Sequence, residues 1–89
     1  MVERQVVIRN KLGLHARASA RFVTTANGFS SNVYLIKDGI EVNGKSIMGI
    51  MMLAAGKDSE ICIRTDGADE EDMLETLETL VNDRFGENE

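Results

Sequence analysis

The dipeptide Asp38-Gly39, set between Asn32–Lys37 and Ile40-Glu41-Val42, is the strongest local constraint in the chain. Both residues tolerate positive φ, and the runs on either side are rich in β-branched and aromatic residues. The pattern therefore specifies a tight two-residue turn and an antiparallel hairpin. Two further strands are predicted. Val2 to Arg9 is short and β-branched-rich, and Glu60-Ile61-Cys62-Ile63-Arg64-Thr65 alternates with period two. Helical spacing separates them. Ala16, Ala20, Val23 and Ala26, beside Phe22, mark a helix from Ala16 to Asn27, and Gly28 is expected to end it at positive φ. Ser46 opens the short run Ile47–Leu53 and favours a capped helix there over a strand. Met73, Leu74, Leu77, Leu80, Val81 and Phe85 form one apolar face of a last helix stopped by Gly86, with Asp69, Glu70, Glu71 and Asp72 crowding its positive end. The order β-α-β-β-α-β-α predicts an α+β domain with one four-stranded antiparallel sheet and all three helices on one face.

Length makes this a single domain over residues 1–89. Surface scaling predicts roughly 5,200 Å² exposed when folded, against about 14,000 Å² for the open chain, which is a thin but workable core. A 43% apolar share is that of a soluble globular domain, and no apolar run nears the roughly 20 residues of a membrane span. The opening Met1-Val2-Glu3-Arg4-Gln5 does not read as a signal peptide, and one cysteine forbids an internal disulfide, so a cytoplasmic protein is expected. With a single histidine besides, neither a structural metal nor a cofactor is expected. Charge divides unevenly: residues 1–64 carry +4 and residues 65–89 carry −9. Such a molecule would present a mildly basic working end to acidic partners. No nucleic-acid partner is expected, since the net charge is −5 and Phe22, Phe29, Tyr34 and Phe85 are the only aromatics.

Little in the chain can do chemistry. There is no phosphate-binding glycine loop, no serine elbow and no paired carboxylate at a predicted cleft. What remains is Gly13-Leu14-His15-Ala16-Arg17, with His15 at the junction of a turn and the first helix, where it serves as N-cap. A lone histidine is more often structural, but this placement changes the expectation. Amides at a helix start lack intrahelical partners and face the positive end of the dipole. A phosphoryl group carried on the His15 ring would meet those donors and the Arg17 guanidinium together. The same surroundings disfavour imidazolium and leave a neutral, nucleophilic ring. A dipole contribution of about 0.3–1 kcal/mol suits a relay that must release its cargo. The pattern is that of a carrier rather than a kinase.

Two segments, Asn10-Lys11-Leu12-Gly13-Leu14-His15-Ala16-Arg17 and Asn43-Gly44-Lys45-Ser46-Ile47-Met48-Gly49-Ile50-Met51, closely resemble the signature segments of the HPr family. These are the histidine-containing phosphocarriers of the bacterial phosphoenolpyruvate-dependent sugar phosphotransferase system. His15 and Ser46 stand 31 residues apart, and the resemblance continues through Gly67-Ala68-Asp69-Glu70. It implies an open-faced β-sandwich and a phosphoryl group accepted on Nδ1 of His15. The implied donor is enzyme I, the implied acceptor an EIIA component of a sugar permease, and Arg17 matches the arginine that contacts the phosphoryl group.

Ser46 reads as an N-cap, and the resemblance adds a second role, since many members are phosphorylated there by HPr kinase/phosphorylase. Two negative charges on a docking surface would hinder phosphorylation of His15. Ile47, Met48, Ile50 and Met51 cannot all point inward from so short a helix, so some are expected at the surface. The family docks its partners on an apolar patch matched by Met48 and Met51; Ile47 belongs with them, and Ala20, Arg21 and Lys45 are candidates for the rim. Flexible methionine surfaces suit successive unlike partners. One departure stands out: the family usually continues His-Ala-Arg with proline, where this chain has Ala18. Alanine preserves the helix with a less rigid start. The alternative is a paralogous regulatory phosphocarrier, of nitrogen or catabolite-control type, that docks to a transcription regulator or another regulatory protein. In either case a carrier exposing one histidine to donor and acceptor is expected to act as a monomer, away from membranes.

Overall fold

At the Asp38-Gly39 turn both residues take positive φ, 52° and 81°, which carries the chain directly from one strand into its antiparallel neighbour. The computed structural model describes all 89 residues. Its elements are β1 (Val2–Val7), α1 (Ala16–Ala26), β2 (Asn32–Lys37), β3 (Ile40–Asn43), α2 (Ile47–Met52), β4 (Glu60–Asp66) and α3 (Glu70–Asn82), followed by a 3-10 turn at Arg84–Gly86. The sheet order is β1-β4-β2-β3, antiparallel throughout. The order expected from the sequence, and the two-layer α+β arrangement, are those of the structure.

Strand β4 is central, pairing Val6 with Ile61 on one side and Leu35 with Ile63 on the other. The alternate residues Val6, Val33, Leu35, Ile61, Ile63 and Thr65 are buried beneath the helices. Phe22 and Ala26 of α1, Ile50 of α2, and Met73, Leu74, Leu77 and Val81 of α3 pack over them in the core. The folded chain exposes 4982 Å², close to the area that its mass demands. On the open face, burial and the neighbouring Glu3 push the Cys62 thiol up, which keeps it protonated and unreactive.

Three local expectations are corrected. The buried stripe of α1 is Ala18, Ser19, Phe22 and Ala26, while Ala16 is exposed and Ala20 and Val23 are half-buried. Small residues made two stripes equally good by spacing, and the packing partners chose between them. Gly28 does not take positive φ; α1 closes through Asn27 in right-handed geometry, the Asn27 amide donating to the Val23 carbonyl and the Gly28 amide to the Thr25 carbonyl. The last helix ends at Asn82, short of Phe85. Arg84, Phe85 and Gly86 all have positive φ, at 56°, 55° and 77°, and Phe85 drops into the core from this reversed backbone.

Two acidic residues of α3, Glu70 and Glu78, have partners at the start of the chain. Both Glu70 carboxylate oxygens accept from the Met1 amino group at 2.9 Å, and Glu78 accepts from Arg4 at 2.6 Å, tying α3 to β1. Asp69 grips the α1–β2 loop: it accepts from the Ser31 hydroxyl, from the Ser30 amide at 3.0 Å and from the Ser31 amide at 2.9 Å. Those bonds, the Ser31 hydroxyl foremost, hold its carboxyl at about 2, below the ordinary 3.8. A depressed carboxyl stabilises the fold fully above its unfolded value and loses that effect as pH falls toward the folded value. Thermal melts should therefore weaken as pH drops from about 4 to about 2. Asp69→Ala should lower the melting temperature at neutral pH and flatten that acid limb, and equal melting of variant and parent at pH 7 would contradict the assignment.

Candidate functional site

Residues 10–14 set the entry to α1. Gly13, at φ 67°, closes the turn with its amide on the Asn10 carbonyl at 3.1 Å, and the Leu14 amide donates to the Ala55 carbonyl at 2.9 Å. A side chain at Gly13 would collide with the backbone at Ala55 and Gly56, so the turn is seated directly on the α2–β4 loop. His15 follows in extended backbone as the N-cap of α1. Its Nδ1 accepts from the Arg17 amide at 3.2 Å. Nδ1 is therefore the nitrogen without a proton, and the ring proton resides on Nε2.

That proton has a partner 72 residues away: Nε2 lies 2.7 Å from Oε2 of Glu87. The other carboxylate oxygen, Oε1, accepts from Asn10 Nδ2 at 3.0 Å, and the same Nδ2 donates to the Gly13 carbonyl at 2.7 Å. Burial raises the Glu87 carboxyl, but the bonds from Asn10 and His15, with the charge of Arg21, outweigh it and hold the group below the ordinary glutamate range. Glu87 is thus ionised at neutral pH. The His15 side chain is 26% exposed and opens onto a recess of about 640 Å³ lined also by Lys11, Leu12, Ala16, Arg17, Glu87 and Glu89. Arg17 is exposed at its rim, and its guanidinium takes part in no ion pair or hydrogen bond. An anion on Nδ1 would find the Arg17 amide already aimed at that atom and a free guanidinium on the same residue.

The remaining residues singled out from the sequence fall as follows. Ser46 caps α2, its Oγ accepting from the Gly49 amide at 3.0 Å, and it is half-buried. Ile47, Met48 and Met51 are exposed, Met48 at 78%, while Ile50 alone faces the core. Met52, not anticipated, is also exposed. Helices α1 and α2 pack together, which puts half-buried Ala20 on the helix beside this apolar surface. Arg21 donates to the Phe85 carbonyl and Lys45 to the Phe29 carbonyl at 2.9 Å, so both cations are tethered to backbone. Asn10 and Glu87 escaped the sequence reading as site residues. Asn10 lay inside a recognised segment but read only as a turn residue, and Glu87 belongs to no periodic pattern or motif.

A family model described as "PTS HPr component phosphorylation site" matches residues 2–83. The chain belongs to the HPr family. It is 53% identical over 89 residues, all of both chains, to the phosphocarrier protein HPr of Neisseria meningitidis serogroup A. It is also 51% identical over 77 residues to the HPr-like protein Crh of Halalkalibacterium halodurans, covering 86% of this chain and 92% of that one. The crystal structure of HPr-C-His from Thermoanaerobacter tengcongensis superposes with a TM-score of 0.96 at 44% identity, covering both chains fully. The open-faced sandwich of HPr is the fold found here, and no helix is long and apolar enough to cross a membrane.

Ala18 stands where HPr members usually carry proline, and its environment says what the exchange would do. The first intrahelical bond of α1 runs from the Ser19 amide to the His15 carbonyl at 2.9 Å, so the Ala18 amide lies among the unpaired donors of the first turn. Proline there removes no hydrogen bond and restricts the unfolded chain. Ala18→Pro should retain the fold and gain about 0.4–1 kcal/mol in urea unfolding; a loss of stability would show that the buried Ala18 site has no room for the ring.

Proposed function

We propose that this chain is a phosphoryl carrier of the phosphotransferase system, accepting a phosphoryl group on Nδ1 of His15 from phosphorylated enzyme I and passing it to an EIIA component. One observation carries the proposal. His15 Nδ1 is unprotonated at a helix N-terminus and hydrogen-bonded only to the Arg17 amide, and His15 lines an open recess together with Arg17, whose guanidinium is free. Attack by Nδ1 exchanges a long 3.2 Å hydrogen bond for a bond to phosphorus, and the released amide can then donate to a phosphoryl oxygen. The Arg17 side chain adds a charge-assisted contact without giving up an earlier one. The single chain holds all of these groups, which supports action as a monomer. His15 is also what favours a carrier over a purely regulatory module, since a module acting only through Ser46 needs no nucleophile at residue 15.

Partners dock, in this proposal, on exposed Ile47, Met48 and Met51, with Ala20 beside them and Arg21 and Lys45 at the rim. Ser46 is the regulatory position. A phosphate on its Oγ would sit at the start of α2, where it displaces the cap to Gly49 and puts up to about two negative charges next to the docking methionines. HPr kinase/phosphorylase is the proposed agent. A transcription regulator that reads phosphoserine is the proposed further partner.

Labelling tests both modifications. Purified protein incubated with phosphoenolpyruvate and enzyme I should acquire one acid-labile phosphate that His15→Ala abolishes. Arg17→Ala should slow acceptance by about ten- to a hundredfold, the value of one charged hydrogen bond. With ATP and the serine kinase, an acid-stable phosphate should appear that Ser46→Ala removes while the phosphoenolpyruvate-dependent label persists. A His15→Ala protein that still takes the acid-labile label would refute the acceptor assignment.

A further inference from the structure

The C-terminal segment brings to the His15 ring a carboxylate that phosphoryl transfer, as set out above, leaves without a role. Its backbone is held in a costly shape. Arg84 and Phe85 occupy the left-handed region without being glycine, and Gly86 follows there. The hook persists because several contacts fix it. Phe85 is buried in the core, the Arg21 guanidinium donates to its carbonyl, and the Lys11 amide donates to the Glu89 carbonyl. Asn10, itself fully buried, clamps one Glu87 oxygen and leaves the other on Nε2.

We propose that Glu87 is the positioning residue for His15: its carboxylate keeps the ring proton on Nε2 throughout the relay and balances the charge that the ring acquires while it carries the phosphoryl group, a role that rests on Nδ1 being the acceptor. In the first transfer the Nδ1 lone pair attacks phosphorus. The bond from phosphorus to the donor's leaving atom breaks, and its electron pair stays with the donor. The ring then bears phosphorus on Nδ1, hydrogen on Nε2 and one positive charge, which faces the Glu87 carboxylate. In the second transfer the acceptor's nucleophile attacks phosphorus, the Nδ1–P bond breaks, and its electron pair returns to Nδ1. The departing ring is neutral because the Nε2 proton never left. Without that proton the leaving group would be an imidazolate anion, a far poorer one. Neither step moves a proton to or from the ring, and both pass through the charge state that the carboxylate favours.

The test uses the full-length protein with ¹⁵N-labelled histidine, comparing the parent with Glu87→Ala and Glu87→Gln. Two readouts are needed: the ring ¹⁵N spectrum of His15, which reports where the proton resides, and the rate of phosphoryl acceptance from enzyme I charged by phosphoenolpyruvate. The parent should show Nδ1 unprotonated and Nε2 protonated. The Ala variant should populate the Nδ1–H form and accept the group about tenfold more slowly, the usual scale for losing a partner that orients a histidine. The Gln variant should also be slowed, because its NH2 replaces one of the two accepting oxygens and so turns a donor toward either Asn10 Nδ2 or the Nε2 proton. Unchanged spectra in the variants would overturn the proposal even if the rate fell, since the tail would then act in docking. A shifted proton with an undiminished rate would overturn it as well. Absence of any label on the parent would instead refute the acceptor assignment, while the spectra would still decide what Glu87 does to the ring.

Discussion

The hydrogen bond from the Arg17 amide to His15 Nδ1 is the constraint around which the working end is built. It makes the histidine an N-cap, and so directs the first-turn donors of α1 toward the ring. It also decides the tautomer, because a nitrogen that accepts cannot carry the proton. The turn at Asn10–Gly13 and its seat on the α2–β4 loop set the angle at which the chain enters the helix. A sheet of four strands supplies the floor, but the reactive geometry comes from one turn, one helix end and one returning tail.

That tail gives the charge asymmetry of the chain a concrete form. The last quarter of the sequence is strongly acidic, yet several of its carboxylates have defined partners. Glu70 and Glu78 hold β1, Asp69 holds the loop before β2, and Glu87 reaches the ring at the opposite, more basic end. An acidic segment that would otherwise repel the phosphoryl group thus places a single carboxylate at Nε2, with the imidazole between it and the nitrogen that would bear phosphorus.

Much of the fold was legible because it is written in short-range periodicity. The hairpin at Asp38-Gly39, the strand at Glu60–Asp66 and the apolar face of α3 each follow from residues a few positions apart. Both caps, His15 and Ser46, were legible for the same reason: a polar residue stands directly before a helical run. The misses share a cause too. Which stripe of α1 is buried depends on what packs over it, and alanines at several phases leave the spacing ambiguous. Phe85 fits the apolar period of α3, yet the chain breaks before it into left-handed backbone that no non-glycine residue announces. Glu87 meets His15 only through tertiary structure, across 72 residues, and so leaves no local pattern.

The most direct test of the central claim is the connectivity of phosphorus on the phosphorylated protein, read by ¹H–³¹P correlation. Phosphorus on Nδ1 has only the ring Hε1 three bonds away, whereas phosphorus on Nε2 has both Hε1 and Hδ2. The geometry at His15 predicts a single cross-peak, to Hε1. Correlation to both ring protons would place the group on the nitrogen assigned here to Glu87 and contradict the account.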